Sequence, residues 1–331
     1  MELRCPRCKG ALILDPGPPV EAGQKPQQAL LCDPCRAEYP VRCDIPDLRL
    51  APSPEISFEE DLQIAEALAK HEPHETFEEL VDRFYEMRPP ARPELRTAHL
   101  THFEVEEEQA LAAFSRFDPT DRGPYLDLGC GMGRYLATAA PTGREAIGVD
   151  AALYQLVLAR KLLGGESRRV QLVAANAEAL PFADGGFTAA TATDLLEHVP
   201  EPQKVLAELG RVLDDGARVV LTTPNRFSLT PEPHVGIWGL GFRSRPSAER
   251  LVREKLGIDY SSIRPFSYGR LCQTFDDAFP GKAVIHAPIP GPREMASFPG
   301  LKRLFAEVYS MIKSPLLAPY FLVDAVKDHR I

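Results

Sequence analysis

The sequence predicts an α/β protein whose main body is a doubly wound, largely parallel sheet, preceded by a small metal-stapled module. Three observations carry that expectation. From Tyr125 onward, short apolar runs alternate with amphipathic helical stretches, the pattern of strands joined by crossover helices. The first of these runs ends in a glycine-rich turn, Asp127-Leu128-Gly129-Cys130-Gly131-Met132-Gly133-Arg134. Two Cys-x-x-Cys knuckles, Cys5-Pro6-Arg7-Cys8 and Cys32-Asp33-Pro34-Cys35, open the chain.

The first 52 residues hold the knuckles, the breaker run Asp15-Pro16-Gly17-Pro18-Pro19 and short apolar pieces such as Ala11-Leu12-Ile13-Leu14. So small a segment cannot be held by burial alone, and a bound metal is the natural staple. The spacing C-x2-C-x23-C-x2-C gives four thiolates and a closed tetrahedral site, so Cys5, Cys8, Cys32 and Cys35 are expected to bind a structural zinc. Cys43 is a spare thiol, read as a small buried residue, with replacement of one of the four ligands as the alternative. Ala51-Pro52-Ser53-Pro54 marks a boundary, dividing a zinc module at 1–52 from a larger domain at 53–331.

Helical periodicity then covers Phe58–His71, Glu75–Met87 and about Thr97–Phe117, a set of N-terminal helices over 58–117. Strands are expected at Tyr125–Leu128, Ala146–Val149, Val170–Ala174, Phe187–Thr193 and Ala217–Thr223, with helices at Arg134–Ala140, Leu153–Leu163 and Gln203–Leu213. Two later strands, Lys282–Ala287 and Pro319–Val326, complete the pattern. Residues 226–262 and 288–316 read as insertions placed to cap a pocket over the carboxyl edge of the sheet.

In an open α/β sheet a nucleoside ligand lies beyond the carboxyl ends of the strands. Gly129, Gly131 and Gly133 let a ligand touch backbone there, and the following helix turns its N-terminus toward an anion. Asp150 ends the second strand 21 positions after Gly129, where a carboxylate accepts from both ribose hydroxyls. A dinucleotide site needs G-x-G-x-x-G. Here the third glycine comes one position early and Arg134 stands where the rival needs glycine. A guanidinium suits the carboxylate of a methionine moiety. The expected cofactor is therefore S-adenosylmethionine (SAM).

The segment Asp127–Pro202 resembles the class I SAM-dependent methyltransferases of the ubiquinone-biosynthesis type. The matching pieces are Asp127–Gly133, Gly148-Val149-Asp150-Ala151, Asn176-Ala177-Glu178-Ala179-Leu180-Pro181-Phe182 and Asp194-Leu195-Leu196-Glu197-His198-Val199-Pro200. The resemblance implies a Rossmann-like, seven-stranded mixed sheet. It implies that Asp150 and Ala151 meet the ribose and that Asn176 and Ala177 flank the adenine, the family usually having Asp at the first of these. It implies further that Asp194 and Leu195 line the methionine moiety. Similarity to the quinone O-methyltransferases adds Asp194, Glu197 and His198 as a candidate divalent-cation set. The segment Tyr39-Pro40-Val41-Arg42-Cys43-Asp44-Ile45-Pro46-Asp47-Leu48 resembles the zinc-ribbon activator subunits of tRNA and rRNA methyltransferases, which have Gly where this chain has Asp44.

Methyl transfer needs an aligned nucleophile, exclusion of water and sometimes a base. His198, just past the fourth strand, and His234, in an insertion rich in proline and aromatics, are the candidate bases. Tyr85, on an N-terminal helix, is a further candidate for the cofactor's cover. The motif Asp194-Leu195-Leu196-Glu197 is not the Asn/Asp-Pro-Pro-aromatic signature used on exocyclic amines of bases. The chain carries 38 Lys and Arg against 47 Asp and Glu, a net charge of −9 without a long basic run, which disfavours broad nucleic-acid binding but leaves room for a local basic groove. The leading expectation is a small-molecule methyltransferase acting on oxygen. An RNA base methyltransferase of the rRNA guanine-N1 type, which also joins a zinc module to this fold, is the second reading. A SAM-binding scaffold that docks a protein partner through the ribbon is the third. No apolar run approaches the ~20 residues of a membrane span, and Met1-Glu2-Leu3-Arg4-Cys5 is not an apolar signal core, so the expected address is the cytoplasm.

Overall fold

The computed structural model describes residues 1–18, 28–89, 93–289, 291–297, 300–312 and 314–328. Parts of the expected insertion at 288–316, namely 290, 298, 299 and 313, fall outside them.

Four short strands, β1 (Ile13–Asp15), β2 (Ala29–Cys32), β3 (Ala37–Arg42) and β4 (Ile45–Pro46), pair antiparallel in the order β1-β2-β3-β4. Each knuckle ends in a left-handed residue, Lys9 (φ 61) after Cys8 and Arg36 (φ 57) after Cys35. The β3–β4 turn has two positive-φ residues, Cys43 (φ 50) and Asp44 (φ 60), the signature of a type I′ hairpin. Asp tolerates that backbone better than most side chains, so Asp44 makes the turn without glycine.

The main sheet has the order β10-β11-β9-β8-β5-β6-β7. Its strands are β5 (Tyr125–Leu128), β6 (Ala146–Asp150), β7 (Val170–Ala174), β8 (Phe187–Thr193), β9 (Leu213–Pro224), β10 (Gly281–His286) and β11 (Tyr320–Lys327). β5 to β9 run parallel, while β11 pairs antiparallel with both β9 and β10. The strand order reverses between β5 and β8, the switch point where ligands of such sheets bind. β9 begins four residues before the expected Ala217 because Leu213 already pairs with Phe187, and a register shift separates that pair from the rest of the ladder.

Helices α1 (Phe58–His71) and α2 (Phe77–Met87) start on the caps Ser57 and Thr76, the latter a full capping box with Glu79. α3 (Pro93–Phe114) begins earlier than the expected Thr97, with proline in the first turn where its missing N–H costs nothing. α4 (Arg134–Ala139) and α5 (Leu153–Leu163) join them on one face of the sheet, around Ile64, Leu68, Leu80, Tyr125 and Leu156. α6 (Pro202–Val212) covers the other face together with a later helix, Tyr268–Ala278.

The insertion after β9 folds around its own apolar cluster of Val235, Ile237, Leu240, Ala248, Val252 and Tyr260. It carries α7 (Arg245–Leu256), followed by α8 (Tyr268–Ala278). α9 (Pro292–Ser297) and α10 (Gly300–Ile312) form the second insertion, and the rings of Trp238 and Phe305 join the two at 5.2 Å. No helix among the described residues is long and apolar enough to cross a membrane.

The ribbon sits on the sheet edge. Asp47 bridges Ala174 of β7 in parallel and Leu48 N–H donates to the Ala174 carbonyl at 2.8 Å. Arg4 N–H donates to the Pro181 carbonyl at 2.8 Å, and Lys9 Nζ reaches Glu208 at 2.9 Å. Leu48 is fully buried in the same core as Val173 and Phe182. A bare edge strand is thereby covered by the protein's own module.

Candidate functional site

Gly129 (φ 74), Gly131 (φ 50) and Gly133 (φ 86) all take the left-handed backbone that the loop requires. Their surroundings differ. A Cβ on Gly129 would lie 3.1 Å from Leu195, and one on Gly133 2.9 Å from Ala159, but one on Gly131 would meet nothing within 4 Å. The outer glycines are packed and the middle one faces open space. Asp150 accepts from Gly131 N–H at 2.9 Å and Ala152 N–H at 2.8 Å, and burial still pushes its pKa up. Asp127, at the end of β5, is buried. One carboxylate oxygen accepts from the Thr191 hydroxyl at 2.7 Å and the other has no partner among the described residues. Burial pushes its pKa to about 7. An orphaned buried oxygen awaits a donor, and the ammonium group of a bound SAM is one. The Arg134 guanidinium lies 4.0 Å from the centre of the Phe103 ring, with no carboxylate partner among the described residues. α4 has only six residues, so Arg134 and the loop N–H groups, rather than a long helix dipole, meet any anion there. These features fit the group.

The linker holds a constellation that sequence reasoning missed. Arg49 is buried and donates to Asp47 twice at 2.7 Å, to Asp61 of α1, and to the Ala151 carbonyl at 2.9 Å. Asp61 in turn accepts from Leu153 and Tyr154 N–H, each at 3.0 Å, and so caps α5. Asn176 accepts from Leu50 and Ala51 N–H at 2.8 and 3.0 Å and donates to the Ala51 carbonyl at 3.1 Å. That pairing needs an acceptor and a donor on one side chain, which gives Asn rather than Asp a physical reason. Its carbonyl is spent on the linker, while Ala177 sits beside it, nearly buried.

Asp194 closes β8 in a left-handed conformation (φ 47), accepts from the Thr222 hydroxyl at 3.1 Å, and lies 3.5 Å from His102 of α3. Burial alone would raise its pKa, but His102 and His234 prevail and hold it down. Tyr85 is hydrogen-bonded to His99 of α3 at 2.6 Å.

His198 and His234, 36 residues apart, meet Nε2 to Nε2 at 3.0 Å. Each is held from behind by a carboxylate on Nδ1: Glu55 on His198 at 2.7 Å, Glu232 on His234 at 2.6 Å. Burial disfavours a charged imidazole here, yet both pKa values are raised because the carboxylates win. Beside them Glu197 is fully buried. One carboxylate oxygen accepts from Thr223 at 2.9 Å, the other is unpaired among the described residues, and burial pushes the pKa to about 8. A ligand atom from each of Glu197, His198 and His234 lies within 4.8 Å of the others. An O,N,N set of this kind suits a transition-metal ion, and carboxylates on Nδ1 are the usual supports of metal-binding histidines. The expected set Asp194, Glu197, His198 is thus corrected: among the described residues His234 takes the place of Asp194, which turns instead to Thr222 and His102.

The four knuckle sulfurs also converge, all within 4.8 Å of one another, with Cys5 to Cys35 at 3.5 Å and Cys8 to Cys32 at 3.4 Å. A tetrahedral zinc with Zn–S of about 2.3 Å would set neighbouring sulfurs ~3.8 Å apart. Burial would raise the Cys5 pKa, but the Tyr39 hydroxyl at 3.2 Å and the N–H groups of Cys8 and Arg7 bring it to about 6. Cys43 stands apart, pushed by burial to about 11. The donor set fits zinc.

Residues 126–221 match the family described as a methyltransferase domain. This segment is a class I SAM-dependent methyltransferase domain. The methyltransferase segment has curated relatives. A demethylmenaquinone methyltransferase from Clavibacter sepedonicus is 40% identical over 110 residues, 33% of this chain and 43% of that protein. One from Thermus thermophilus is 36% identical over 121 residues, 36% of this chain and 52% of that protein. The chain thus spans about half the length, or less, of these curated relatives. Among solved structures, the S-adenosylmethionine dependent methyltransferase from Mesorhizobium loti gives a TM-score of 0.48 at 17% identity, covering 65% of this chain and 96% of that one.

Proposed function

We propose that this protein transfers a methyl group from SAM to an oxygen atom of a small molecule, with the His198–His234 pair taking the proton and a zinc-stapled ribbon bracing the domain. The observation that carries the reading is the Nε2-to-Nε2 approach at 3.0 Å. With each Nδ1–H given to a carboxylate, two neutral imidazoles face each other with bare lone pairs, and the slot between them holds one proton. Glu55 and Glu232 stabilise the cation so formed.

SAM, when bound, supplies a methyl group on a positively charged sulfur and leaves as the neutral thioether. Asp150, held by Gly131 and Ala152 N–H, receives the ribose hydroxyls. Asp127 and Arg134 meet the ammonium and carboxylate of the methionine moiety, Ala177 flanks the adenine, and Asp194 and Leu195 line the end of β8. A substrate hydroxyl gives its proton to the imidazole pair as its oxygen takes the methyl group, so charge is conserved. The two insertions, joined through Trp238 and Phe305, exclude water. The ribbon's pairing edge is engaged by its own chain, which supports a structural role for Cys5, Cys8, Cys32 and Cys35 over a free docking surface.

The test is transfer from methyl-labelled SAM into cell extract. Label is expected in a nuclease-resistant small-molecule fraction, whereas label in RNA would hand the function to the guanine-methyltransferase reading. Asp150→Ala should weaken S-adenosylhomocysteine binding about tenfold to a hundredfold, the worth of ~1.5–3 kcal/mol of charge-assisted hydrogen bonds, as read by calorimetry.

A further inference from the structure

The insertion over the sheet edge forms an open pocket of about 440 Å3 whose wall carries five arginines, Arg226, Arg243, Arg245, Arg264 and Arg270. Sequence spacing hid them, since they are spread over 45 positions, in loops and in the first turns of two helices. Only Arg245 has a carboxylate partner among the described residues, Glu249 at 2.6 Å. Glu232, the other acid on the wall, is already held by His234. Arg226 donates to the Gly241 and Arg243 carbonyls at 2.9 and 3.2 Å, which leaves the guanidiniums of Arg243, Arg264 and Arg270 without a carboxylate or carbonyl partner among the described residues. Burial, together with Arg264 and Arg226, pulls the Arg270 pKa down, the mark of cations crowded against one another.

The helices add to the excess. The first turns of α7 and α8 both contribute to the wall, through Arg245 and Arg270. Helix N-termini are positive, and arginine in a first turn is placed against the dipole. Ser244, at the N-cap of α7, makes no side-chain cap bond. Glu249 and the carbonyls of Ile263, Tyr260 and Ser261 offset Arg245, whereas Arg270 has no acceptor among the described residues, so its placement points to an anion.

We infer that this cavity binds a phosphate or diphosphate group on the substrate. It deepens the methyltransferase reading and rests on it. Arginine pairs with phosphate oxygens in bidentate fashion, and five arginines against the two carboxylates of Glu232 and Glu249, an excess of three positive charges, match a multiply charged group better than a single carboxylate. The cavity is joined to the imidazole pair on two sides. Glu232 on its wall holds His234, and Arg264 N–H donates to the Glu197 carbonyl at 2.7 Å. An anionic head anchored among the arginines would thus lay the rest of the molecule beside His198 and His234. A pocket of this volume on a chain of net charge −9 favours a small ligand over a nucleic-acid strand.

The probe is inorganic pyrophosphate, titrated calorimetrically into the full chain with and without S-adenosylhomocysteine. The variants are Arg264→Gln, Arg270→Gln and the pair together, side chains without a carboxylate or carbonyl partner among the described residues, so that folding is spared. Pyrophosphate should bind the wild type, and each single variant should bind it about tenfold or more weakly. S-adenosylhomocysteine affinity should stay unchanged, and the unliganded Tm of Arg270→Gln should hold or rise. Equal binding by the double variant, or no binding by the wild type, overturns the inference while leaving cofactor binding as evidence for methyl transfer. Pyrophosphate bound without S-adenosylhomocysteine binding supports the anion site and overturns the methyltransferase reading instead. A single-stranded RNA oligonucleotide that displaces pyrophosphate and loses affinity in the same variants overturns the small-ligand assignment.

Discussion

Glu232 sits behind His234 at 2.6 Å and Glu55 behind His198 at 2.7 Å, and in the proposed reaction these two carboxylates decide when the imidazole pair works as a base. The His198 bond holds Glu55 down to about 2, so Glu55 stays ionised throughout the neutral range. Both histidines titrate above their ordinary ~6.5, since their carboxylates outweigh burial and mutual repulsion. A base acts when deprotonated, so turnover should rise with pH through that raised pKa and fall below it. Glu232→Gln removes a charge that favours the cation, which lowers the pKa and moves the rising limb of the kcat profile to lower pH. S-adenosylhomocysteine affinity should be unaffected. A profile that keeps its limb in Glu232→Gln would remove the pair from proton transfer. Glu197 and Asp194 also face the pair, but neither supports an imidazole Nδ1, so Glu232 is the clean substitution.

At the scale of elements, the Asp47–Arg49–Asp61 cluster links three pieces: the ribbon's exit, α1, and the loop between β6 and α5. Arg49→Met leaves buried Asp61 without a counter-charge and Asp47 with Arg42 alone at 3.4 Å, a change that costs about 3–5 kcal/mol, to be measured by denaturant unfolding. The triple variant Asp47→Asn, Arg49→Met, Asp61→Asn should recover a large part of that, because no charge is left buried alone and the amide oxygen that Asp61→Asn introduces can still cap α5. If the triple variant is no more stable than Arg49→Met alone, the charges are not the source of the loss. Most of the elements themselves were legible in the sequence. Strands β5 to β8 follow from short apolar runs buried on both faces of the sheet, and helices α1 and α5 from their helical apolar periods. The glycine loop was legible because the three glycines and Asp150 form a fixed-spacing motif. The Arg49 cluster was not, since Asp47, Arg49 and Asp61 look like ordinary surface charges until the ribbon docks. Nor was the imidazole pair, or the arginine cavity, as both are made by an insertion whose path no period dictates.

Across the whole molecule one mechanical line runs from the cysteine cluster to the cofactor loop. The knuckles fix β2 and β3, β3 and β4 lead to Asp47 and Leu48 on the β7 edge, and Arg49 joins these to Asp61 and the Ala151 carbonyl next to Asp150. The ribbon has few residues with which to bury apolar surface, so a zinc held by its four thiols would supply most of its folding free energy. Taking the metal away should therefore do more than loosen an appendage. Treatment with a strong chelator, or Cys32→Ser, should release one zinc per chain and lower Tm. It should also weaken S-adenosylhomocysteine binding, because Asp61 and the loop after Asp150 lose their tie to the linker. Hydrogen exchange should show deprotection first in the ribbon, then at Leu153 and Tyr154, whose N–H groups Asp61 holds. Cofactor affinity that survives full loss of zinc and unfolding of the ribbon would break the line between Arg49 and the ribose loop, and would make the ribbon a cover for the β7 edge alone.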